Sequence, residues 1–215
     1  DMNWMWSYPE TVAATLATFR TMLTLMEEYP DFHFSQSQAA VYEIVEKYDP
    51  DMMEEIKQRI REGRWEVTAS SWVEPDHNMP SLESEIRHPL YTRRYLARLL
   101  DIPEEGLDID FEPDTFGHNA KLPDVLSAAG VRYLYHCRGE REESLYRWRG
   151  RTGREVLVFR DPDWYGCTGI GYETAQRAPF FCQKYDIPCY LTVYGVGDHG
   201  GGPTRRDIEL AQEMM

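Results

Sequence analysis

The feature that most constrains the fold is an alternation of short strand-like segments with helical segments along most of the chain. Apolar residues at helical spacing, such as Val12, Leu16 and Phe19, mark helices, and β-branched or aromatic runs between the helices mark strands. Strands that are separated by helices of about ten or more residues pair in parallel through right-handed crossovers. The sequence therefore predicts an α/β fold, either a barrel or a doubly wound sheet.

Start and stop signals place the individual elements. Ser7 followed by Glu10, and Thr204 followed by Asp207, are capping-box patterns that begin helices. Further helices are predicted near 38–48, 50–62, 81–99, 121–129 and 173–184, with a bend at Pro89. Strands are predicted at 32–35, 64–69, 107–111, 131–136 and 188–194, and residues 145–160 are predicted to form a hairpin around 151–153.

Charge and hydropathy exclude several classes of protein. Lys and Arg number 23 against 37 Asp and Glu, a net charge of −14, which opposes binding to nucleic acid or to anionic lipid. No apolar run approaches the roughly 18 residues of a membrane span, and the first residues lack a signal-peptide layout. The four cysteines form no CxxC pair, so neither a zinc ribbon nor a disulfide framework is predicted. These features favour a cytoplasmic protein, and the sequence leaves a homo-oligomer open.

Acidic residues follow several of the predicted strands. In both architectures ligands bind at the carboxyl ends of the strands, so these residues are expected at one rim. The rim would hold Asp1, Glu74, Asp76, Asp114 and Asp198, together with His118, His199 and Arg138. Clustered carboxylates repel each other, so a metal ion is the economical explanation, although each acid alone could be a solvated loop residue or a helix cap. Paired carboxylates beside a sugar-sized cleft permit glycoside hydrolysis, and aromatic residues, 13% of the chain, suit a sugar ligand.

Several stretches, in a fixed order along the chain, resemble glycoside hydrolase family 38, the zinc-dependent retaining α-mannosidases. The matching stretches are Asp1-Met2-Asn3-Trp4-Met5-Trp6, Phe34-Ser35-Gln36, Gly63-Arg64-Trp65-Glu66, Trp72-Val73-Glu74-Pro75-Asp76, Asn78-Met79-Pro80-Ser81 with Glu83 and Arg87, Pro113-Asp114-Thr115-Phe116-Gly117-His118, and Gly197-Asp198-His199-Gly200-Gly201-Gly202-Pro203-Thr204. The resemblance implies a seven-stranded (β/α) barrel of parallel strands, incomplete in this chain. It also implies that residues 1–215 form part of a single N-terminal catalytic domain, truncated at both ends.

The resemblance further implies one Zn²⁺ in the site. Asp1 and Asp114 match two of the family's zinc ligands, and the two His ligands are expected outside the chain, one before Asp1 and one beyond Met215. Asp114 also matches the nucleophile, and Asp198 matches the acidic loop that would supply the general acid/base. The substrate-binding residues implied are Trp4, Phe116, Arg138, Trp72 and Asp76. His118 is expected to orient the turn that carries Asp114.

The expected activity is hydrolysis of terminal α-linked mannose from glycans or oligosaccharides in two displacements with retention, so the partner expected is an α-mannoside. Two alternatives remain at this point. One is a metal-dependent carbohydrate deacetylase on a similar barrel, and the other is a sugar-binding fragment without catalytic activity. Release of acetate rather than mannose would identify the first alternative.

Overall fold

A computed structural model describes residues 6–139, 141–162, 164–165, 170–196 and 201–214. The chain divides into two compact units, one made of Asp1–Phe32 with Trp164–Met215 and the other of His33–Asp163. None of the helices in the described parts of the chain combines the length and the apolar composition that a bilayer span requires.

The first unit contains three helices among its described residues: α1 (Tyr8–Glu28), α6 (Tyr172–Tyr185) and α7 (Arg205–Met214). The predicted capping box begins α1, since the Ser7 N–H and hydroxyl both donate to Glu10. Thr204 and Asp207 cap α7 in the same way. Gly202 has a φ of +65°, and a Cβ there would lie 2.6 Å from Sδ of Met22, so only glycine fits at this approach to α1.

The second unit begins with a small parallel sheet covered by two helices. Strand β1 (Phe34–Gln36) pairs with β2 (Trp65–Val67), and α2 (Ala39–Tyr48) and α3 (Pro50–Arg61) connect them. The Asp49 side chain caps α3, and Gly63 follows α3 at a φ of +74°. The buried Trp65 Nε1 donates to the Tyr42 hydroxyl at 3.0 Å, which fixes α2 against the sheet.

A second sheet in the same unit has four strands in the order β3–β4–β6–β5. Its elements are α4 (Leu82–Leu100), β3 (Ile109–Glu112), α5 (Leu122–Ala128), β4 (Tyr133–His136), β5 (Leu145–Arg149) and β6 (Glu155–Arg160). Strands β3, β4 and β6 are parallel, and β5 is antiparallel to β6. The short turn between β5 and β6 reverses the chain, whereas a parallel pair needs a crossover of a dozen or so residues.

The packing of this sheet follows the sequence pattern. One face of α5 buries apolar side chains against β4 and β6; the cluster is Leu122, Leu126, Val131, Leu134, Val156 and Val158. The α4 helix continues through Pro89, and its buried Arg93 donates to the backbone carbonyls of Glu104, Leu107 and Ala129. This arginine ties α4 to the ends of two neighbouring loops.

The α/β class is confirmed, and two expectations change. The described residues form six strands in two sheets, one of them antiparallel to its neighbour, rather than a set of parallel strands alone. The strand predicted at 188–194 is wrong, because these residues have no ladder partner and Pro188 lacks the N–H that a ladder requires. The predicted helices and the hairpin are present, with end points that differ by at most one residue.

Candidate functional site

The loop that follows β3 holds Asp114 at the carboxyl end of the strand. The carboxylate of Glu74 accepts the backbone N–H of Asp114 at 2.5 Å and the hydroxyl of Thr115 at 3.2 Å. The Thr115 hydroxyl also lies 3.2 Å from the carbonyl of Pro75. Burial raises the pKa of Glu74, while the N–H of Asp114 opposes that shift. The loop after β2 thus fixes the backbone at Asp114.

Arg138, which follows β4, forms an ion pair with Asp114. Its Nε and Nη2 lie 2.6 Å and 2.5 Å from Oδ1 of Asp114, and the two side chains are 35% and 31% exposed. The guanidinium also lies 4.4 Å from the ring centre of Phe116, which is 77% exposed. We call Asp114, Phe116 and Arg138 the rim cluster. Oδ2 of Asp114 accepts no hydrogen bond from the described residues, so one carboxylate oxygen is available.

A second polar cluster lies inside the unit, behind the rim. We call His77, Asp110 and Glu112 the interior cluster; these side chains are 7%, 1% and 0% exposed. His77 Nε2 lies 2.6 Å from Oε1 of Glu112, and Asp110 precedes Glu112 by two residues on β3. The hydroxyls of Ser70 and Ser71 donate to Asp110 at 2.5 Å and 3.0 Å, across the gap between the two sheets.

Burial and close charges shift the pKa values in this cluster. Burial and the neighbouring Glu112 carboxylate raise the pKa of Asp110. Burial lowers the pKa of His77, but the hydrogen bond and the charge of Glu112 outweigh it, so its pKa is raised overall. Asp110 and His77 therefore each have a pKa above the ordinary value of the same side chain in water.

His118 and His136 extend the network toward β5. His118, which was expected to orient the turn that carries Asp114, lies with its Nε2 2.9 Å from Oε2 of Glu112, two residues before Asp114, and so contacts the interior cluster. The rings of His118 and His136 are 4.8 Å apart. His136 Nδ1 donates to the carbonyl of Arg138 at 2.8 Å, and Nε2 lies 3.0 Å from the Tyr146 hydroxyl. Burial lowers the pKa of each of these two histidines to about 4.

A cavity of about 510 Å³ adjoins the interior cluster. Two predicted substrate-binding residues line it, Trp72 and Asp76, and so do His77, Glu85 and Asp110. The Trp72 ring packs 4.8 Å from that of Tyr95, and the backbone N–H of Trp72 donates to Nε2 of His88 at 2.8 Å. Oδ1 of Asp76 accepts the backbone N–H groups of Asn78 and Met79, which makes Asp76 part of a turn.

The structure thus brings Asp114, Phe116 and Arg138 together and places Trp72 and Asp76 on one cavity. The predicted residues Asp1, Trp4 and Asp198 lie outside the described residues. The interior cluster was missed. Its signal is the run Asp108, Asp110 and Glu112, in which acids at a spacing of two point to the same side of a strand.

Comparison with known proteins gives consistent matches. The family model for the N-terminal domain of glycosyl hydrolases family 38 matches residues 1–215. Alpha-mannosidase G of Dictyostelium discoideum is 33% identical over 97% of this chain and 20% of its own length. Alpha-mannosidase 2C1 of Homo sapiens is 30% identical over 100% of this chain and 21% of its own length. The chain therefore spans about a fifth of the length of these curated relatives.

The fold has a counterpart among solved structures. The crystal structure of an alpha-mannosidase from Enterococcus faecalis V583 matches with a TM-score of 0.77 and 22% identity, over 100% of this chain and 26% of that chain. At this identity the likeness describes the fold alone.

Proposed function

Because this chain belongs to glycosyl hydrolase family 38, through the N-terminal domain of that family, we propose that the protein hydrolyses terminal α-linked mannose from glycans or oligosaccharides. The proposal includes retention of configuration in two displacements. It also includes a single catalytic domain of which residues 1–215 are part, built as a seven-stranded (β/α) barrel. The TM-score of 0.77 with an alpha-mannosidase fold and the contact of Ser70 and Ser71 with Asp110 across the two sheets support that architecture.

The observation that supports the proposal most directly is the hydrogen bonding of the two Asp114 carboxylate oxygens. Arg138 holds one of its oxygens, and the other accepts no hydrogen bond from the described residues. Glu74 fixes its backbone from the neighbouring loop. A carboxylate that is oriented on one side and open on the other is what a glycosidase nucleophile requires.

In the proposed reaction Asp114 attacks the anomeric carbon and forms a glycosyl ester as the bond to the leaving oxygen breaks. A proton from the acid/base, which we assign to Asp198, goes to the leaving oxygen. In the second displacement the same group removes a proton from a water that bonds to the anomeric carbon, as the ester bond to Asp114 breaks and releases the carboxylate. The guanidinium of Arg138 is paired with Oδ1 of Asp114, and this contact fixes the orientation of the carboxylate that attacks.

Asp114 also suits the second role proposed for it, as a ligand of Zn²⁺. Its open oxygen and its half-exposed position fit a metal ligand, since carboxylate oxygen is a common donor to zinc. Asp1 would be a further ligand, with two His ligands supplied from outside this chain. Held by these residues, the ion would supply Lewis-acid chemistry beside the bound sugar.

Phe116 and Arg138 provide the described part of the sugar-binding surface. The exposed Phe116 ring, backed by the guanidinium, offers a flat apolar face of the kind on which sugar rings stack. Trp4, Trp72 and Asp76 are proposed to complete the binding site. The two of these that the structure describes, Trp72 and Asp76, line the neighbouring cavity.

The test is Asp114→Asn in the full-length protein, assayed on an aryl α-mannoside. The amide keeps the size of the side chain but is a poor nucleophile, so kcat is expected to fall by about 10³-fold or more while mannose binding remains. Asp51→Asn, at an exposed position in the first turn of α3, is the matched control and is expected to keep full activity. Normal turnover in Asp114→Asn would overturn the proposal, and release of acetate from an acetylated sugar would support the deacetylase instead.

A further inference from the structure

The interior cluster places three metal-binding side chains around one point. One ring nitrogen of His77 and one carboxylate oxygen each from Asp110 and Glu112 all lie within 4.8 Å of one another, and all three residues are buried. Asp110 and Glu112 come from β3, and His77 comes from the loop after β2. The three donors therefore converge from two separate segments of the chain.

In the described part of the chain, the carboxyl groups of this region are paired with histidines and hydroxyls, and not with lysine or arginine. Glu85 on α4 lies beside the cluster and is also buried, so three carboxyl groups share the interior. Among the described residues, no Lys or Arg forms a salt bridge with Glu85, Asp110 or Glu112. Buried carboxylates are costly unless a cation or shared protons compensate them. A bound cation would supply that compensation.

A second and independent observation concerns the other nitrogen of His77. Nδ1 is buried and has no hydrogen-bond partner among the described residues. It lies 3.9 Å from Oε1 of Glu85, which is too long for a hydrogen bond. A buried nitrogen with a lone pair or proton that nothing satisfies is rare in native structures, and coordination of an ion beside it is one way to resolve it.

We propose that His77, Asp110 and Glu112 bind a divalent transition-metal ion, with Glu85 beside it, at a site separate from the zinc assigned to Asp114. One imidazole nitrogen and two carboxylate oxygens form a donor set that suits Zn²⁺ and Co²⁺. The cavity of about 510 Å³ reaches His77, Glu85 and Asp110, so an ion has a route to the cluster. The ion links the loop after β2 to Glu112, the last residue of β3. Because Glu112 is two residues before Asp114, the ion also stabilises the strand end that carries Asp114.

The experiment counts metal ions in the full-length protein. The protein is stripped with a chelator, equilibrated with Zn²⁺, desalted and analysed for zinc per chain. His77→Gln and Glu112→Gln are each expected to lose one equivalent. Combining either of them with Asp114→Asn is expected to remove one equivalent more than Asp114→Asn removes alone. His88→Gln, a histidine on the same cavity but outside the cluster, is the matched control and is expected to bind as wild type.

Two outcomes would overturn the proposal: zinc content unchanged in both cluster variants, or zinc lost only in Asp114→Asn. The activity of Asp114→Asn tests the proposed function separately, so the two proposals fail independently. If the cluster variants do not fold, hydrogen exchange of the wild-type protein with and without Zn²⁺ tests the site instead. Zn²⁺ is expected to slow exchange in segments 70–77 and 109–112, and equal exchange with and without Zn²⁺ would contradict the site.

Discussion

The rim cluster and the interior cluster lie near the end of the same strand, yet their carboxyl groups differ in burial and in the side chains that pair with them. At the rim, Asp114 and Arg138 are about a third exposed and form a simple ion pair of opposite charges. In the interior, Asp110 and Glu112 are fully buried and are paired, among the described residues, with hydroxyls and histidines instead of lysine or arginine. Exposed pairs contribute little to stability, while buried ionic groups become costly when one partner is removed. We therefore expect substitutions in the rim cluster to affect catalysis more than stability, and substitutions in the interior cluster to affect the free energy of unfolding.

The first prediction concerns the free energy of unfolding. Glu112→Ala removes the acceptor of both His77 and His118, and we expect it to lower this free energy by about 3–5 kcal/mol. Asp114→Ala breaks only the partly exposed ion pair, and we expect a loss of about 1 kcal/mol or less. Urea unfolding of both variants with chelator present measures the difference. Equal losses would show that the two regions do not differ as described.

The second prediction concerns the pH dependence of stability. Burial lowers the pKa of His136 to about 4 in the folded protein, against an ordinary value of 6.5. Between these two values the unfolded chain binds more protons than the folded one, so stability falls as the pH falls. The shift corresponds to a loss of about 2–3 kcal/mol from this residue between pH 6.5 and pH 4.

The measurement compares wild type with His136→Gln by urea unfolding at pH values across this window. The glutamine side chain does not titrate, so the variant is expected to lose correspondingly less stability on acidification. His136 is buried and donates to the carbonyl of Arg138, so it reports on the boundary between the rim and the interior. Parallel pH profiles for the two proteins would mean that His136 is not held neutral by the fold.

Elements whose signals are local were predictable from the sequence. The strand end at Pro113-Asp114, and the capping boxes at Ser7 and Thr204 in the other unit, each rely on contacts within a few residues. Asp114 and Arg138 were both expected at one rim, because the carboxyl ends of parallel strands meet at one edge; that they form an ion pair was not predicted.

The interior was not predictable in the same way, because its partners are distant in sequence. His77 and Glu112 are 35 residues apart, and Ser70 and Asp110 are 40 apart. Acids are rarely fully buried, so composition argued for solvent exposure at Asp110 and Glu112. The strand expected at 188–194 failed for a related reason, since a strand needs a partner that its own sequence cannot specify.

The third prediction, with the smallest expected effect, separates two roles of Asp76. Oδ1 of Asp76 accepts the N–H groups of Asn78 and Met79 in an exposed turn, and asparagine can accept the same bonds. Asp76→Asn is therefore expected to change stability by less than about 0.5 kcal/mol, whereas Asp76→Ala is expected to lose about 1 kcal/mol. If the carboxylate also binds a sugar hydroxyl, the KM of Asp76→Asn for an aryl α-mannoside rises by about tenfold, because a charged hydrogen bond becomes a neutral one. If the two variants show the predicted stabilities but the KM of Asp76→Asn is unchanged, Asp76 shapes the turn beside the cavity and does not bind the substrate.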